Sequence, residues 1–215
     1  MNRDQISNVL KKYLPEHAVG SCTDWVVEHR IKVNITKSRA SKYGDYRPPQ
    51  MGKGHHITIN HDLNPYAFLI TFVHEVAHLT CEIRFRRNIE PHGKEWKQEF
   101  QFLLSRFLHQ HIFPEDVLSA VKNYLLNPAA SSCTDIDLQR ALKKYDLKKE
   151  NALVLVEDLP HKSIFELSHS RKKLILIKGE KRRTRFHCVE IGTAREYMVN
   201  PLAEAKPVKS IENEQ

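Results

Sequence analysis

The sequence predicts an α+β protein in which a largely helical domain with a small β-sheet or hairpin precedes a small β-barrel-like module. Three observations predict this class. Apolar residues recur at helical spacing from Tyr66 to Cys81, and apolar and polar residues alternate from Arg30 to Thr36 as in a half-buried strand. From Ala152 onward, proline and glycine turns separate short predicted strands over residues 153–156, 163–167, 174–177, 184–191 and 196–199.

A short, small and polar segment, Asn127–Ser132, indicates where the chain divides. We expect a first domain over residues 1–127, a linker with one short helix over residues 128–150, and a small basic β module over residues 151–215. The linker helix would run from Asp135 to Tyr145 with Thr134 as its cap. With 215 residues and 40% hydrophobic content, the chain can bury a substantial core.

The first element that indicates a chemistry is the helix predicted over Tyr66–Cys81, with Asn64 as its cap and Pro65 at its first position. It carries an HExxH motif, His74-Glu75-x-x-His78. Histidines four residues apart share one helix face, so both imidazoles can reach one ion. Such polar groups are costly on an apolar helix unless they are paired or metal-bound. The pattern therefore favours a zinc site with an open position for water, beside which Glu75 would lie.

A third protein ligand must come from elsewhere in the chain. His92 stands at the entry to the next amphipathic helix, from which its side chain can point back toward the first, and it is the favoured candidate. Glu95 and Glu99, about one and two turns into that helix, are the alternatives, although both also fit a solvated helix face. The metzincin arrangement is excluded because it requires histidine at position 84, where the chain has Arg84.

The four cysteines, Cys22, Cys81, Cys133 and Cys188, are too widely spaced for a Cys-x-x-Cys pair. A second, structural zinc site of the four-cysteine type is therefore not expected. The same scatter favours a reducing compartment over a disulfide framework. With no signal peptide and no apolar run near 18 residues, we expect a cytoplasmic protein that does not enter a membrane. Cys81, one turn past His78, is interpreted as a small core residue.

His74-Glu75-x-x-His78 on a helix, a connection of about a dozen residues and His92-Gly93-x-x-Trp96 at the start of the next helix resemble the SprT-like metalloprotease family. That family includes bacterial SprT and the eukaryotic Spartan protease, and the resemblance covers residues 4 to 125. It implies a zincin-like fold, His74, His78 and His92 as zinc ligands, and Glu75 as the catalytic base. Family members often continue into a zinc ribbon with two cysteine pairs, which this chain lacks.

A formal net charge of +8 favours polyanionic partners through counterion release. Two basic segments with aromatic residues could contact substrate or nucleic acid, but ordinary solvation of a loop and of a hairpin explains them equally well. The candidate contacts are Arg39, Lys42, Tyr43, Tyr46 and Arg47 in the loop that follows the first strand, and Lys181, Arg182, Arg183 and Arg185 in the β module.

The combined prediction is a hydrolase, a zinc metalloendopeptidase with one Zn²⁺ site, acting on proteins that include DNA-bound ones and able to associate with the nucleoid. Zinc would acidify its bound water, and Glu75 would take the proton. An exposed sheet edge beside the metal would let extended substrates of many sequences pair with the protease. The alternative is a nucleic-acid-binding or transcription-associated protein with a structural or vestigial zinc site.

Overall fold

The computed structural model describes residues 2–39, 42–50, 52–86, 89–129, 135–146, 153–168, 170 and 172–208. The chain forms two compact units, Met1–Leu147 and Lys148–Gln215, each with its own hydrophobic core. Helices and a three-stranded sheet make up the first unit, and a six-stranded sheet makes up most of the second. The predicted α+β class is therefore confirmed, whereas the zincin-like assignment stays a prediction.

The helices described in the first unit are α1 (Arg3–Leu10), α2 (Val19–Glu28), α3 (Pro65–Phe85), α4 (Lys94–Ser105), α5 (Glu115–Leu126) and α6 (Ile136–Lys143). Among them α3 is buried on nearly all sides, because its sequence is apolar around most of its circumference. Phe68 and Phe72 of α3 are fully buried, as are Trp96 and Phe100 of α4. Among the described helices, none combines the length and apolar character needed to cross a bilayer.

The ends of α3 follow from local sequence. The Asn64 side chain accepts hydrogen bonds from the backbone N–H groups of Tyr66 and Ala67, and Pro65 occupies the first turn, as predicted. The helix continues to Phe85, one turn beyond its predicted end at Cys81. It stops at Arg86, whose left-handed backbone, with a φ of 49°, cannot continue a right-handed helix.

The small sheet of the first unit contains β1 (Lys32–Thr36), β2 (Gly44–Arg47) and β3 (His56–Asn60), in the order β1-β3-β2. Strand β3 pairs in parallel with β1 and antiparallel with β2, so β2 lies at an edge. The strands predicted at 30–36 and 56–60 are confirmed. The segment before Pro48 was expected to be loop, but it forms β2 because Tyr46 lies opposite Ile57 and packs with it on the first core.

The second unit contains β4 (Val154–Leu155), β5 (Ile164–Leu167), β6 (Ile175–Arg182), β7 (Arg185–Glu190), β8 (Glu196–Val199) and β9 (Glu204–Pro207). Their order is β4-β9-β5-β6-β7-β8, with antiparallel pairing throughout. The barrel prediction is wrong: β4 and β8 are the two edges, and no pairing between described residues joins them. Strand β4 has only two residues, which is too short to close a barrel. The sequence also missed β9, in which only Ala205 is apolar and buried.

Helix α6 belongs to the first unit, although the sequence placed it in a linker over residues 128–150. Its apolar face, Leu138, Ala141 and Leu142, is buried in the first core, and the Leu142 carbonyl accepts a hydrogen bond from Asn64. The eight-residue helix is held by this docking rather than by its own length. Its described cap is Asp135, and the predicted cap, Thr134, lies outside the described residues.

Candidate metal centre

Three histidines from two elements meet at one point. His74 and His78 lie one turn apart on α3, and His92 lies in the turn that leads into α4. Their Nε2 atoms are separated by 3.2 Å (His74 to His78), 2.9 Å (His78 to His92) and 3.2 Å (His74 to His92). The His92 backbone has a φ of 60°, a left-handed conformation that residues other than glycine seldom adopt. The sequence prediction that these three side chains converge is therefore confirmed.

The triangle of nitrogen atoms fits a tetrahedral cation. Zinc–nitrogen bonds of about 2.0 to 2.1 Å at tetrahedral angles place ligand nitrogens about 3.3 Å apart, close to the observed 2.9 to 3.2 Å. Hydrogen bonding alone cannot satisfy the three atoms, because a neutral imidazole Nε2 is either a donor or an acceptor. At least two of the three are then alike and repel each other. A central cation removes this conflict, and the cluster could hold one.

Burial keeps the three imidazoles in the form that binds metals. Burial lowers the pKa of His74 to about 2, with His78 and His92 nearby adding to the effect. Burial and then the proximity of His92 lower the pKa of His78 to about 4. The pKa of His92 is also lowered by burial. All three rings are therefore neutral at neutral pH, with lone pairs available to an ion.

Trp96 forms an apolar wall beside the cluster. Its ring centroid lies 4.6 Å from that of His74, 5.3 Å from that of His78 and 4.7 Å from that of His92. The Phe100 ring stacks against the Trp96 ring, with centroids 5.1 Å apart and planes 8° from parallel. Trp96 is fully buried, so this wall restricts the imidazole orientations and keeps water from one side of the site.

Glu75 follows His74 on α3, is only 5% exposed and points toward β2. The backbone N–H of Tyr46 in that strand favours the carboxylate form of this side chain. The candidate base therefore lies between α3 and the edge strand β2. The sequence identified Glu75 from the motif, but it carried no signal for the strand backbone that meets it, because that contact involves no side-chain pattern.

The charge state of Glu75 is set by opposing effects. Burial and then Asp45 raise the pKa of its carboxyl group to about 8, while Lys42, the Tyr46 N–H and Arg39 favour the carboxylate and limit the rise. A carboxyl group with a pKa near neutrality can both take up and release a proton at neutral pH.

The alternative third ligands do not join the cluster. Glu99 is buried, which contradicts the expectation of a solvated helix face, and both of its carboxylate oxygens accept from Arg84 Nη1, at 2.8 and 3.0 Å. This pair was missed because its members lie on different helices. Glu95 is half-buried and lies outside the histidine cluster. Cys81 is a buried free thiol of the first core, as expected, and burial raises its pKa to about 11.

The basic residues around β2 are engaged with the protein itself. Lys42 Nζ and Arg47 Nε bind the two carboxylate oxygens of Asp45 at 2.7 and 3.0 Å. Arg39 donates from Nε to Asn60 Oδ1 at 2.9 Å, across the sheet. These bonds stabilise the strand and its loop, and contacts with a substrate or nucleic acid stay a prediction for all three cations.

The two tyrosines of this region also have internal partners. Tyr43 donates to Gln139 Oε1 on α6 at 3.2 Å, which links the loop to the last helix of the unit. The Tyr46 hydroxyl lies 2.9 Å from His55 Nδ1, and the two rings stack. Their predicted role in substrate or nucleic-acid contact is likewise untested by these bonds.

In the second unit, Lys181, Arg182, Arg183 and Arg185 are all exposed around the turn between β6 and β7. Arg185 donates to the Met198 carbonyl at 3.2 Å, and it stays exposed. Lys178 differs from them: it is buried, donates to the carbonyls of Glu157 and Leu159, and lies 4.2 Å from the centre of the Phe186 ring. It therefore belongs to the interior of the sheet rather than to the basic surface.

Comparisons with protein-family models, curated proteins and solved structures give no match for this chain. The resemblance to the SprT-like family accordingly depends on the composite motif, and it stays a hypothesis.

Proposed function

We propose that the first unit is a SprT-like, zinc-dependent metallopeptidase in which His74, His78 and His92 hold the ion. The observation that carries this proposal is the triangle of three neutral imidazoles whose Nε2 atoms lie within 3.2 Å of one another. Glu75 follows His74 on the helix that carries two members of the triangle, and its carboxyl group is the proposed base.

In this function, bound zinc supplies a Lewis acid that polarises a peptide carbonyl and acidifies water. The three imidazoles would hold the ion, and the buried Trp96 ring beside them excludes water from one side. Glu75 takes a proton from the attacking water and passes it to the nitrogen of the leaving amine. Burial raises the pKa of this carboxyl group, which favours retention of the proton between these transfers. A cation held by the three histidines would favour the carboxylate form of Glu75, in which this side chain can act as the base.

Proteins are the proposed substrates because β2 is an edge strand beside Glu75. An extended peptide can add to such an edge through main-chain hydrogen bonds, which tolerate many side chains. Tyr43 of the preceding loop bonds to Asn60 of β3, so the backbone groups of Gly44, the next residue, point away from β3. A peptide bound there would run past the proposed base.

The decisive experiment replaces the base and keeps the metal ligands. We expect Glu75→Gln to bind one zinc ion per chain and to lose at least about 100-fold in the rate of histone cleavage, because an amide cannot take up the proton. Glu82→Gln, two turns along the same helix, is the matched control and should cleave at the wild-type rate. Unchanged cleavage by Glu75→Gln, measured with and without a chelator, would contradict the assignment.

We also propose that the exposed cations at the β6–β7 turn contact nucleic acid, which would bring the peptidase to DNA-associated proteins. Four cations around one turn attract a phosphate backbone independently of its sequence. DNA binding without any zinc-dependent cleavage would instead favour a nucleic-acid-binding protein in which zinc is structural or vestigial.

A further inference from the structure

The absence of a side chain at Gly44 makes room for the Glu75 carboxyl group. A Cβ atom added at Gly44 would lie 2.4 Å from Glu75 Oε1, 2.9 Å from Glu75 Cδ and 2.8 Å from Thr71 Cγ2. Each of these distances is shorter than side-chain carbons tolerate. Among the described glycines, those with positive φ are Gly52 and Gly192, so Gly44 has a backbone that other residues could adopt. Space rather than conformation therefore requires glycine here.

Tyr46, two residues further along β2, provides the second part of the same contact. Gly44 lies opposite Ile59 and Tyr46 lies opposite Ile57, in the alternate positions that direct their backbone groups away from β3. The Tyr46 N–H emerges on this side, where it favours the carboxylate form of Glu75. One residue of the edge strand thus leaves space for the carboxyl group, and the next residue on the same face presents an N–H group on that side.

We propose that Gly44 and the Tyr46 N–H form a carboxylate seat that positions Glu75 relative to the three histidines. Holding one carboxylate oxygen at the strand leaves the other to exchange a proton, since a carboxylate has two acceptor atoms. Gly44 is then a positioning residue that acts through Glu75. Its role in catalysis rests on the proposed peptidase function, whereas the seat itself is a structural claim that can be tested without cleavage.

The first test measures histone cleavage by Gly44→Ala. The added methyl group displaces the carboxyl group, so kcat should fall by about 10- to 100-fold while KM changes less than about twofold and zinc stays at one ion per chain. Gly20→Ala is the matched control, because a Cβ at Gly20 meets nothing within 4 Å. A wild-type kcat for Gly44→Ala would overturn the proposal.

Two double variants identify which neighbour responds to the added methyl group. Glu75→Asp shortens the side chain and withdraws it from β2, so it should cost less activity in the Gly44→Ala background than in the wild type. Thr71→Ser removes only the Cγ2 methyl and should not restore the activity of Gly44→Ala. Additive effects of Gly44→Ala and Glu75→Asp, or rescue by Thr71→Ser, would show that Gly44 does not act through Glu75.

The second test needs neither activity nor zinc. In chelator-treated protein, the Tyr46 amide should exchange its proton with solvent at least about tenfold faster in Glu75→Ala than in the wild type, and Glu82→Ala should leave it protected. Gly44→Ala should also accelerate exchange at Tyr46. This result would stand even if no variant cleaved any protein, which would count against the proposed function alone. Unaltered exchange in Glu75→Ala would overturn the seat.

Discussion

At the scale of single residues, burial sets the chemistry of the candidate site. His74 and His78 lie against apolar rings and are neutral over most of the pH range. Burial instead raises the pKa of Glu75, one residue away, because burial favours the uncharged form of acids and bases alike. The site thus combines neutral ligands with a carboxyl group that gains and loses its proton near neutrality.

Metal-free protein should therefore lose stability as the pH falls from about 6.5 to about 4. His74 and His78 take up protons over this range in the unfolded chain and largely not in the folded one, and the lowered pKa of His92 acts in the same direction. The raised pKa of Glu75 acts in the opposite direction. We expect His78→Gln to reduce the pH dependence of log K for unfolding by about one proton between these limits. The measurement is urea denaturation at several pH values with a chelator present, and equal slopes for the two proteins would contradict it.

The residues that could be predicted are those whose signal is local. His74, Glu75 and His78 are fixed by helical spacing, and His92 by its position before the next helix. Gly44 could not be predicted, because its role depends on how closely a strand approaches a helix. Arg84 and Glu99 could not be paired either, since they lie fifteen positions apart on different helices.

At the scale of elements, the Arg84–Glu99 pair holds α4 against α3 and so fixes the turn that carries His92. Glu99 is 6% exposed, while the Arg84 side chain is 63% exposed, so solvent weakens the attraction between them. The larger effect appears when the pair is broken, because the carboxylate would stay buried without a partner.

Arg84→Ala should accordingly destabilise the metal-free protein by about 1 to 3 kcal/mol and weaken zinc binding about tenfold, as α4 loosens. Chemical denaturation and competition with a chromogenic chelator measure the two quantities. The double variant Arg84→Ala/Glu99→Ala should be more stable than Arg84→Ala, because it removes the unpaired charge. Zinc affinity equal to that of the wild type in Arg84→Ala would show that the pair does not position His92.

The helices and strands also show which elements can be predicted from sequence patterns and which cannot. Apolar periodicity located α3 because that helix is long and begins with its own capping residue. It missed β2 and β9, which have four residues each and are defined by their pairing partners rather than by their own composition. The same limitation produced the barrel prediction, since strand positions alone do not state which edges meet.

At the scale of the whole molecule, a unit with a candidate metal centre and a unit with a basic turn share one chain, each with its own core. Such a chain can divide binding and chemistry between its units, because each unit has a hydrophobic core of its own. The formal net charge of +8 is consistent with association with polyanions.

The charge reversal Lys181→Glu/Arg182→Glu should weaken binding to double-stranded DNA at least about tenfold at low salt and reduce the slope of log K against log salt by about two. The matched control, Lys11→Glu/Lys12→Glu, makes the same change in net charge on exposed residues of the first unit. Fluorescence anisotropy over a series of salt concentrations measures the DNA affinity of both variants and of the wild type. Equal losses in both variants would indicate a diffuse charge effect rather than a contact at the β6–β7 turn.

The position of Trp96 gives the candidate metal centre an optical reporter. The chain has two tryptophans, Trp25 and Trp96, and the indole of Trp96 touches every member of the histidine triangle. Tryptophan fluorescence from this protein is thus confined to its first unit, and part of it comes from an indole beside the three histidines. A paramagnetic ion such as Co²⁺ bound at the three histidines would quench the fluorescence of Trp96, whereas a closed-shell ion such as Zn²⁺ would not. Metal occupancy can therefore be followed without an added label.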